Sequence, residues 1–147
     1  MSATIRNIKP GDFPDLISMF REFALFQKEP EKMINTVAQM RADQELVKGF
    51  AAESDKGELV GYVTYFFTYH TWSGKSMYMD DLYVQETYRS AGIGSELINK
   101  VIETAGDLGC RSLRWQVSNW NHPAIDFYKS LGATINSSES NCLLILS

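Results

Sequence analysis

The segment Arg89 to Gly94 has the residue types that bind a phosphate group. An apolar run that predicts a strand over Met77 to Val84 precedes it, and residues with helical spacing begin at Ile93. The two glycines of the segment let backbone N–H groups approach a ligand at the helix N-terminus, where the helix dipole favours an anion. Its arginine places a positive charge beside these donors. The sequence therefore predicts a site for phosphate or pyrophosphate.

Two nucleotide-binding motifs do not fit this turn. A P-loop has Lys followed by Ser or Thr after its second glycine, whereas Ser95 and Glu96 stand here. A dinucleotide-binding fingerprint has a third glycine at the position that Leu97 occupies. Two interpretations remain. The turn is a phosphate site of another class, or it is a helix start made flexible by glycine, with a solvent-exposed arginine and no ligand.

Two adjacent carboxylates lie in the strand that leads to the turn. Asp80 and Asp81 are surrounded by aromatic and apolar residues. Because side chains alternate along a strand, we expect the two to point to opposite faces of the sheet, so that one can face a cleft. Such a carboxylate can accept a proton from an amine or bind a cation. A pair of solvated charges at a strand edge is the alternative interpretation.

Length, charge and cysteine content set the general class. The chain has 147 residues, a net charge of −4 and a pI of about 5.2, which predicts a single domain over residues 1–147. The acidic balance argues against a nucleic-acid partner and suits either a cationic substrate or simple solubility. Cys110 and Cys142 form no disulfide framework and stand at no metal-ligand spacing, so we expect no metal. Since neither a signal-peptide pattern nor a bilayer-spanning run is visible, we expect a cytoplasmic protein without membrane contact.

Hydrophobic patterning predicts a mixed α+β fold with helices on both faces of one sheet. The helix between the strands at 77–84 and 113–118 predicts that these two strands pair in parallel. The other predicted strands cover 4–8, 49–53, 59–69, 133–136 and 141–146. The predicted helices follow a cap at Asp12, cover 31–47 and 93–108, and run from a cap at Asn121 to Gly132.

The turn belongs to a longer, ordered set of motifs. The chain carries Trp72-x-Gly74-Lys75, Tyr78-Met79-Asp80-Asp81-Leu82-Tyr83-Val84, Arg89-x-x-Gly92-Ile93-Gly94-Ser95, Trp120-Asn121 and Phe127-Tyr128-Lys129-x-x-Gly132-Ala133. From Ile5 to Ala133 this string resembles the spermidine/spermine acetyltransferase branch of the GNAT superfamily, which includes thialysine acetyltransferases. The resemblance implies a mostly antiparallel sheet of about six to seven strands in which one pair splays apart.

The resemblance assigns acetyl-CoA as the cofactor of this site. Its pyrophosphate would bind the turn, and its pantetheine arm would pair with the backbone at the end of the preceding strand. The cofactor-binding residues that match are Leu82, Tyr83, Val84, Arg89, Ser90, Ala91, Gly92, Ile93, Gly94, Ser95, Asn121 and Tyr128. Asn121 is also the natural cap of its helix, and both roles stay open.

The resemblance also assigns the catalytic groups. Tyr128 matches a tyrosine that protonates the departing thiolate, and a Tyr pKa of about 10 suits that role; the alternative is a core aromatic residue. Asp80 matches an acidic residue that acts as a base through water, and Asp81 matches one that helps to bind the cationic amine. Because the family has Glu where Asp80 stands, the carboxylate here lies one methylene further back.

Four further residues are predicted to contact the amine. Trp72 and Tyr69 offer cation–π contacts, although packing under the loop is an equal alternative. Phe26 and Gln27 stand where the polyamine branch has Tyr-Glu, so a carboxylate that would contact a polyamine is missing.

The sequence therefore predicts an acetyl-CoA-dependent N-acetyltransferase. It would transfer the acetyl group directly to the primary amine of a small cationic substrate, such as a polyamine, a diamine or a lysine-like amino acid. A protein or peptide N-acetyltransferase and a non-catalytic acyl-CoA-binding module are the alternatives. The resemblance also implies a homodimer.

Overall fold

The computed structural model describes residues 2–146 and shows strands and helices in mixed order. The strands are β1 (Ala3–Asn7), β2 (Lys48–Ser54), β3 (Leu59–His70), β4 (Gly74–Val84) and β5 (Ser112–Arg114). The α-helices are α1 (Phe13–Phe26), α2 (Val37–Ala42), α3 (Ile93–Asp107) and α4 (His122–Ser130). Single 3-10 turns lie at Pro10–Asp12, Pro30–Lys32, Gln44–Leu46 and Glu86–Tyr88.

The strands form one mixed sheet in the order β1-β2-β3-β4-β5. The first three pairings are antiparallel, and β4 pairs with β5 in parallel. Helix α3 connects these two parallel strands, since parallel neighbours need a crossover connection. The predicted fold class and the predicted parallel pair are both confirmed.

The described sheet has five strands rather than the predicted six to seven. The strand predicted over 113–118 ends at Arg114, and the residues described in 133–136 and 141–146 form no strand. Apolar patterning indicates that a segment can pair with a neighbour, but it does not supply the neighbour. The apolar side chains of the last segment are instead exposed, from 70% at Ile145 to 89% at Leu146.

Two helices bury apolar stripes against the sheet. Helix α1 buries Phe13, Leu16 and Ile17 in a cluster with Tyr62 and Tyr83. Helix α3 lies against β2, β3 and β4 and buries a second stripe. Its members are Ile93, Leu97, Ile98, Val101 and Ala105. Leu108, the C-cap residue of α3, is 47% exposed.

The helix predicted over 31–47 is shorter than expected. Only Val37–Ala42 is α-helical, and the hydroxyl of Thr36 caps it by accepting the N–H of Gln39 at 3.1 Å. Leu46, within the predicted range, lies in a 3-10 turn and is 76% exposed. Asp12 does not cap α1, because its carboxylate binds the guanidinium of Arg6 at 2.8 and 2.9 Å.

Contacts divide the chain into two compact units, one up to Gln116 and one from Val117. The first contains the sheet with α1, α2 and α3, and the second contains α4 and the residues that follow it. Within residues 2–146, no helix has both the length and the apolar character that crossing a bilayer requires.

Helix α1 ends in a Schellman motif. The N–H of Glu29 donates to the carbonyl of Ala24 at 2.9 Å, and the N–H of Lys28 donates to that of Leu25 at 3.0 Å. The residue between helix and loop, Lys28, has a φ of +66°. Glycine is the usual residue at this position because it has no side chain to clash in the left-handed region.

We expect Lys28→Gly to raise the free energy of unfolding by up to about 1 kcal/mol, because glycine relieves the strain of a left-handed residue. Urea denaturation followed by circular dichroism measures the change. Lys28→Ala is the matched control, since it removes the same side chain but keeps the strain. Equal stability of the Gly and Ala variants would contradict the interpretation.

Candidate active site

The predicted phosphate turn joins the end of β4 to the start of α3. The 3-10 turn Glu86–Tyr88 leads into it, and Gly92 is the N-cap residue of α3. Gly92 and Ser90 both lie in the left-handed region, with φ of +84° and +66°. No described side chain caps α3, which leaves its first N–H groups for other partners. A side chain at Gly92 would meet open space, so a ligand can reach this turn.

Arg89 is fixed at the start of the turn by three contacts. Its Nε–H donates to the carbonyl of Val84 at 2.8 Å. Its Cζ atom lies 5.2 Å from the ring centroid of Phe26 and 5.5 Å from that of Tyr83. Both distances are in the range of a cation–π contact. A residue predicted to bind the cofactor therefore touches Phe26, which was predicted to bind the amine.

Tyr83 is tied to α1 through its hydroxyl group. The hydroxyl donates to Glu22 Oε1 at 3.0 Å, and Gln85 Nε2 donates to the other carboxylate oxygen at 3.3 Å. The ring of Tyr83 also stacks on Phe23, with 5.4 Å between the centroids. Burial and the bond to Glu22 raise the pKa of Tyr83, so its phenol stays protonated near neutral pH.

One edge of β4 opens before the strand ends. The described pairing of β4 with β5 stops where Tyr78 faces Arg114. On the other edge β4 stays paired with β3 as far as Val84, which faces Gly61. The backbone of Leu82 to Val84, predicted to hold the pantetheine arm, thus lies beyond the described ladder to β5.

The two acidic residues occupy a β-bulge in β4. The register between β3 and β4 shifts here, so that Asp80 and Asp81 lie opposite the single residue Thr64. The sequence prediction assumed strict alternation, with the two side chains on opposite faces. A bulge breaks that alternation and redirects the side chains. Burial raises the pKa of both Tyr62 and Tyr78, and the charges of the two carboxylates raise it further.

Asp81 is held by two groups of β3. Its Oδ2 atom accepts the hydroxyl of Tyr62 at 3.2 Å, and its backbone N–H donates to Thr64 Oγ1 at 3.3 Å. Burial, together with the charge of Asp80, raises the pKa of Asp81 from 3.8 to about 6. Because the folded-state pKa is raised, the contribution of Asp81 to stability declines as the pH rises from about 4 through about 6.

Asp80 lies nearer to solvent than Asp81. The residue is exposed, yet neighbouring protein atoms remove part of the water around its carboxylate and raise its pKa. A carboxylate with a raised pKa is a better proton acceptor. The two carboxylates of the bulge thus differ in environment: Asp80 is exposed and Asp81 is half-buried.

The aromatic tip of the β3–β4 hairpin lies away from the bulge. Trp72 is 101% exposed and Tyr69 is 79% exposed. Tyr69 pairs with Lys75, which precedes Asp80 by five residues along β4, about 16 Å at 3.3 Å per residue. The structure therefore does not bring Tyr69 beside the two carboxylates. The role of both aromatic residues in amine binding stays a prediction.

Two predicted site residues belong to α4. Asn121 is the N-cap, and its side-chain oxygen accepts the N–H of Ala124 at 3.3 Å, which confirms the capping role. Tyr128 is the buried residue of this helix, and its ring lies 5.5 Å from that of Phe127. The remaining predicted contact, Gln27, is the C-cap residue of α1.

Sequence reasoning missed the residues that hold the acidic pair and the arginine. Tyr62 and Thr64 support Asp81, while Glu22 fixes the ring beside Arg89. The sequence indicated only the elements in which these residues lie: Tyr62 is in an apolar strand, and Glu22 is on the same helix as Phe26. The pairings themselves depend on the register between elements that are distant in sequence.

Known proteins share both this sequence pattern and this fold. The Acetyltransferase (GNAT) family profile matches residues 13–133. A thialysine N-epsilon-acetyltransferase of Sus scrofa is 38% identical, over 90% of this chain and 84% of that protein. The spermidine/spermine N(1)-acetyltransferase-like protein 1 of Homo sapiens is 32% identical, over 92% of this chain and 21% of that larger protein. Among solved structures, an integron cassette protein from the mobile metagenome of V. cholerae has a TM-score of 0.78 and 25% identity, covering 99% of this chain and 93% of that one.

These matches fix the class of the protein. The mixed sheet described above is the fold that the matching solved structure shares. The chain belongs to the GNAT acetyltransferase family and is an acyltransferase enzyme.

We expect Tyr62→Phe to raise the pKa of Asp81 above about 6, because the hydroxyl of Tyr62 stabilises the ionised carboxylate. Carboxyl ¹³C chemical shifts followed by NMR between pH 4 and 8 measure the change. Tyr78→Phe is the matched control, since its hydroxyl is not among the groups that shift the pKa of Asp81. An unchanged pKa in Tyr62→Phe would show that the hydrogen bond does not form in solution.

Proposed function

We propose that this enzyme is an acetyl-CoA-dependent N-acetyltransferase that acetylates the primary amine of a small cationic substrate. One observation carries the proposal. The acidic bulge at Asp80 and Asp81 and the anion-binding turn at Arg89 to Gly94 lie on one continuous segment, joined by the end of β4. This continuity supports a cation site next to a phosphate site, as transfer from a nucleotide-linked donor to an amine requires.

The turn and the open edge of β4 fit acetyl-CoA. The uncapped start of α3 and the guanidinium of Arg89 suit a pyrophosphate, and the open space at Gly92 lets it approach the backbone. The backbone of Leu82 to Val84 suits the amides of a pantetheine arm. Acetyl-CoA supplies the acetyl group as a thioester, and Ser90, Ala91, Ile93 and Ser95 belong to the turn that would hold its phosphates.

Asp81 is the group that we assign to the amine. With a pKa of about 6 its carboxylate is mostly ionised at neutral pH, so it attracts an ammonium group. The bond from Tyr62 holds one of its oxygens, which fixes the direction in which the charge is presented. Relatives named thialysine N-epsilon-acetyltransferase and spermidine/spermine N(1)-acetyltransferase-like protein support a substrate with more than one positive centre.

Asp80 and Tyr128 complete the proton transfers. The ammonium must lose a proton before its nitrogen can attack, and Asp80 accepts that proton through a water molecule. As the new C–N bond forms and the C–S bond breaks, Tyr128 would donate its phenolic proton to the departing sulfur. The second proton that the nitrogen loses on becoming an amide would return through solvent to the phenolate of Tyr128. The water-mediated role of Asp80 agrees with its exposure and its raised pKa.

We infer direct transfer without a covalent acyl-enzyme. Cys110 follows the C-terminal end of α3, whereas the turn lies at the N-terminal end of the same helix. The 15 residues of α3 span about 22 Å, so this thiol lies far from a cofactor held at the turn. Cys142 is exposed outside the helices and strands.

The substrate is a lysine-like amino acid, a diamine or a polyamine, with a homodimer as the active form. Phe26 and Gln27 offer no carboxylate at the end of α1, which weakens the case for a long polyamine. The homodimer rests on the resemblance to the polyamine branch and is supported by the exposed aromatic residues of the hairpin. These are Phe66, Phe67, Tyr69 and Trp72.

A thiol-release assay with acetyl-CoA tests the proposal over a panel of amines. We expect turnover with thialysine, lysine, diamines or spermidine, and a KM for the amine that rises strongly in Asp81→Asn because the cation loses its counter-charge. Turnover with peptides alone would instead favour a protein N-acetyltransferase. Binding of acetyl-CoA without turnover of any amine would favour a non-catalytic module.

We expect Tyr128→Phe to lower kcat by on the order of 10²-fold while the affinity for acetyl-CoA stays close to that of the native enzyme. The reason is that the variant keeps the ring but loses the proton donated to sulfur. Steady-state kinetics and calorimetry measure the two quantities, and Tyr65→Phe, on the ring that stacks with Phe50, is the matched control. A kcat equal to that of the control would remove Tyr128 as the acid.

A further inference from the structure

Two aromatic rings from different elements flank the guanidinium of Arg89. Phe26 is the last residue of α1, and Tyr83 lies near the end of β4. Their ring centroids are 5.2 and 5.5 Å from Arg89 Cζ, while Nε–H is bound to the carbonyl of Val84. An arginine side chain on a turn normally samples many rotamers, so three contacts on one guanidinium group restrict it strongly.

The position of both rings is itself fixed. The hydroxyl of Tyr83 is bound to Glu22, one helical turn before Phe26 on α1. The Schellman motif at Lys28 ends α1 directly after Phe26 and thereby sets where that ring emerges. Helix α1 thus contributes the ring of Phe26 and, through Glu22, the hydrogen bond that holds the ring of Tyr83.

We propose that Phe26 is a positioning residue for the cofactor, because it holds Arg89 in the orientation that binds the pyrophosphate. The proposal rests on the function assigned above, in which the turn binds acetyl-CoA. Glu22 and Tyr83 act with Phe26, and we call these three residues the arginine clamp. The clamp assigns to the side chain of Phe26 a role other than contact with the amine.

The clamp acts by preorganisation. Binding a pyrophosphate orders the arginine side chain, and that ordering opposes binding unless the side chain is already held. The rings impose order largely through their π faces, and a guanidinium group has five N–H donors, so that donors remain for an anion. Loss of the clamp should therefore weaken ground-state binding of acetyl-CoA without changing the chemical step.

Calorimetric titration with acetyl-CoA, in the absence of amine, tests the clamp. We expect Phe26→Leu to weaken binding by about two- to fivefold, the effect of one half-exposed cation–π contact. Phe26→Tyr should restore native affinity because it restores a ring. Leu25→Ala is the matched control, since Leu25 is a neighbouring, 67% exposed apolar residue of the same helix turn. Phe26 itself is 42% exposed, so its replacement spares the core.

The same titration in an Arg89→Ala background separates the clamp from the site itself. Arg89→Ala should weaken binding by at least about tenfold, and Phe26→Leu should then have no further effect, because its contribution passes through the arginine. In steady-state kinetics Phe26→Leu should raise the KM for acetyl-CoA and leave kcat and the KM for the amine unchanged.

The possible results distinguish the two proposals. If Arg89→Ala binds acetyl-CoA as tightly as the native enzyme, the assignment of the turn fails and the clamp fails with it. If Arg89→Ala weakens binding but Phe26→Leu does not, the turn stands and the clamp is wrong. If Phe26→Leu raises only the KM for the amine, Phe26 is a substrate contact and the clamp is wrong. If Phe26→Leu weakens acetyl-CoA binding equally in the native and the Arg89→Ala backgrounds, Phe26 contacts the cofactor directly and the clamp is wrong.

Discussion

The β-bulge in β4 is the constraint on which the rest of the site depends. Strict alternation would send Asp80 and Asp81 to opposite faces, and one of the two charges would then face a packed helix. The extra residue lets both lie opposite Thr64, whose hydroxyl accepts the backbone N–H of Asp81 at 3.3 Å. It also changes the parity of the strand, so that Tyr83 returns to the α1 side of the sheet.

Because of that change in parity, one strand carries residues of both halves of the proposed site. Beyond the bulge, Tyr83 points to α1 and reaches Arg89, while Val84 lies close to Gly94 of α3 and accepts the Nε–H of the arginine. The described ladder between β4 and β5 ends at Tyr78, before the backbone that is proposed to hold the pantetheine arm. A shift of one residue in the register would disturb the acidic pair and the arginine together.

The sequence predicted those features that depend on local chemistry. The glycine-rich turn, the start of α3 at Ile93 and the cap at Asn121 follow from residue preferences within a few positions, and the structure confirms all three. The bulge and the contact of Phe26 with Arg89 depend on how elements far apart in sequence align. No periodicity encodes such an alignment, and an apolar run such as 141–146 does not reveal whether a partner strand exists.

Two local costs of the fold lie in the segment from the bulge to the turn. Asp81 is partly buried with a pKa raised to about 6, and Ser90 adopts a left-handed φ of +66° that few residues other than glycine favour. Each feature opposes folding, and each lies where the proposed reaction needs a poised charge or an exposed backbone N–H. The supporting contacts come from Tyr62 and from Glu22, which belong to the core strand β3 and to α1. The well-packed side of the sheet thus holds the strained segment in the geometry on which the proposed reaction depends.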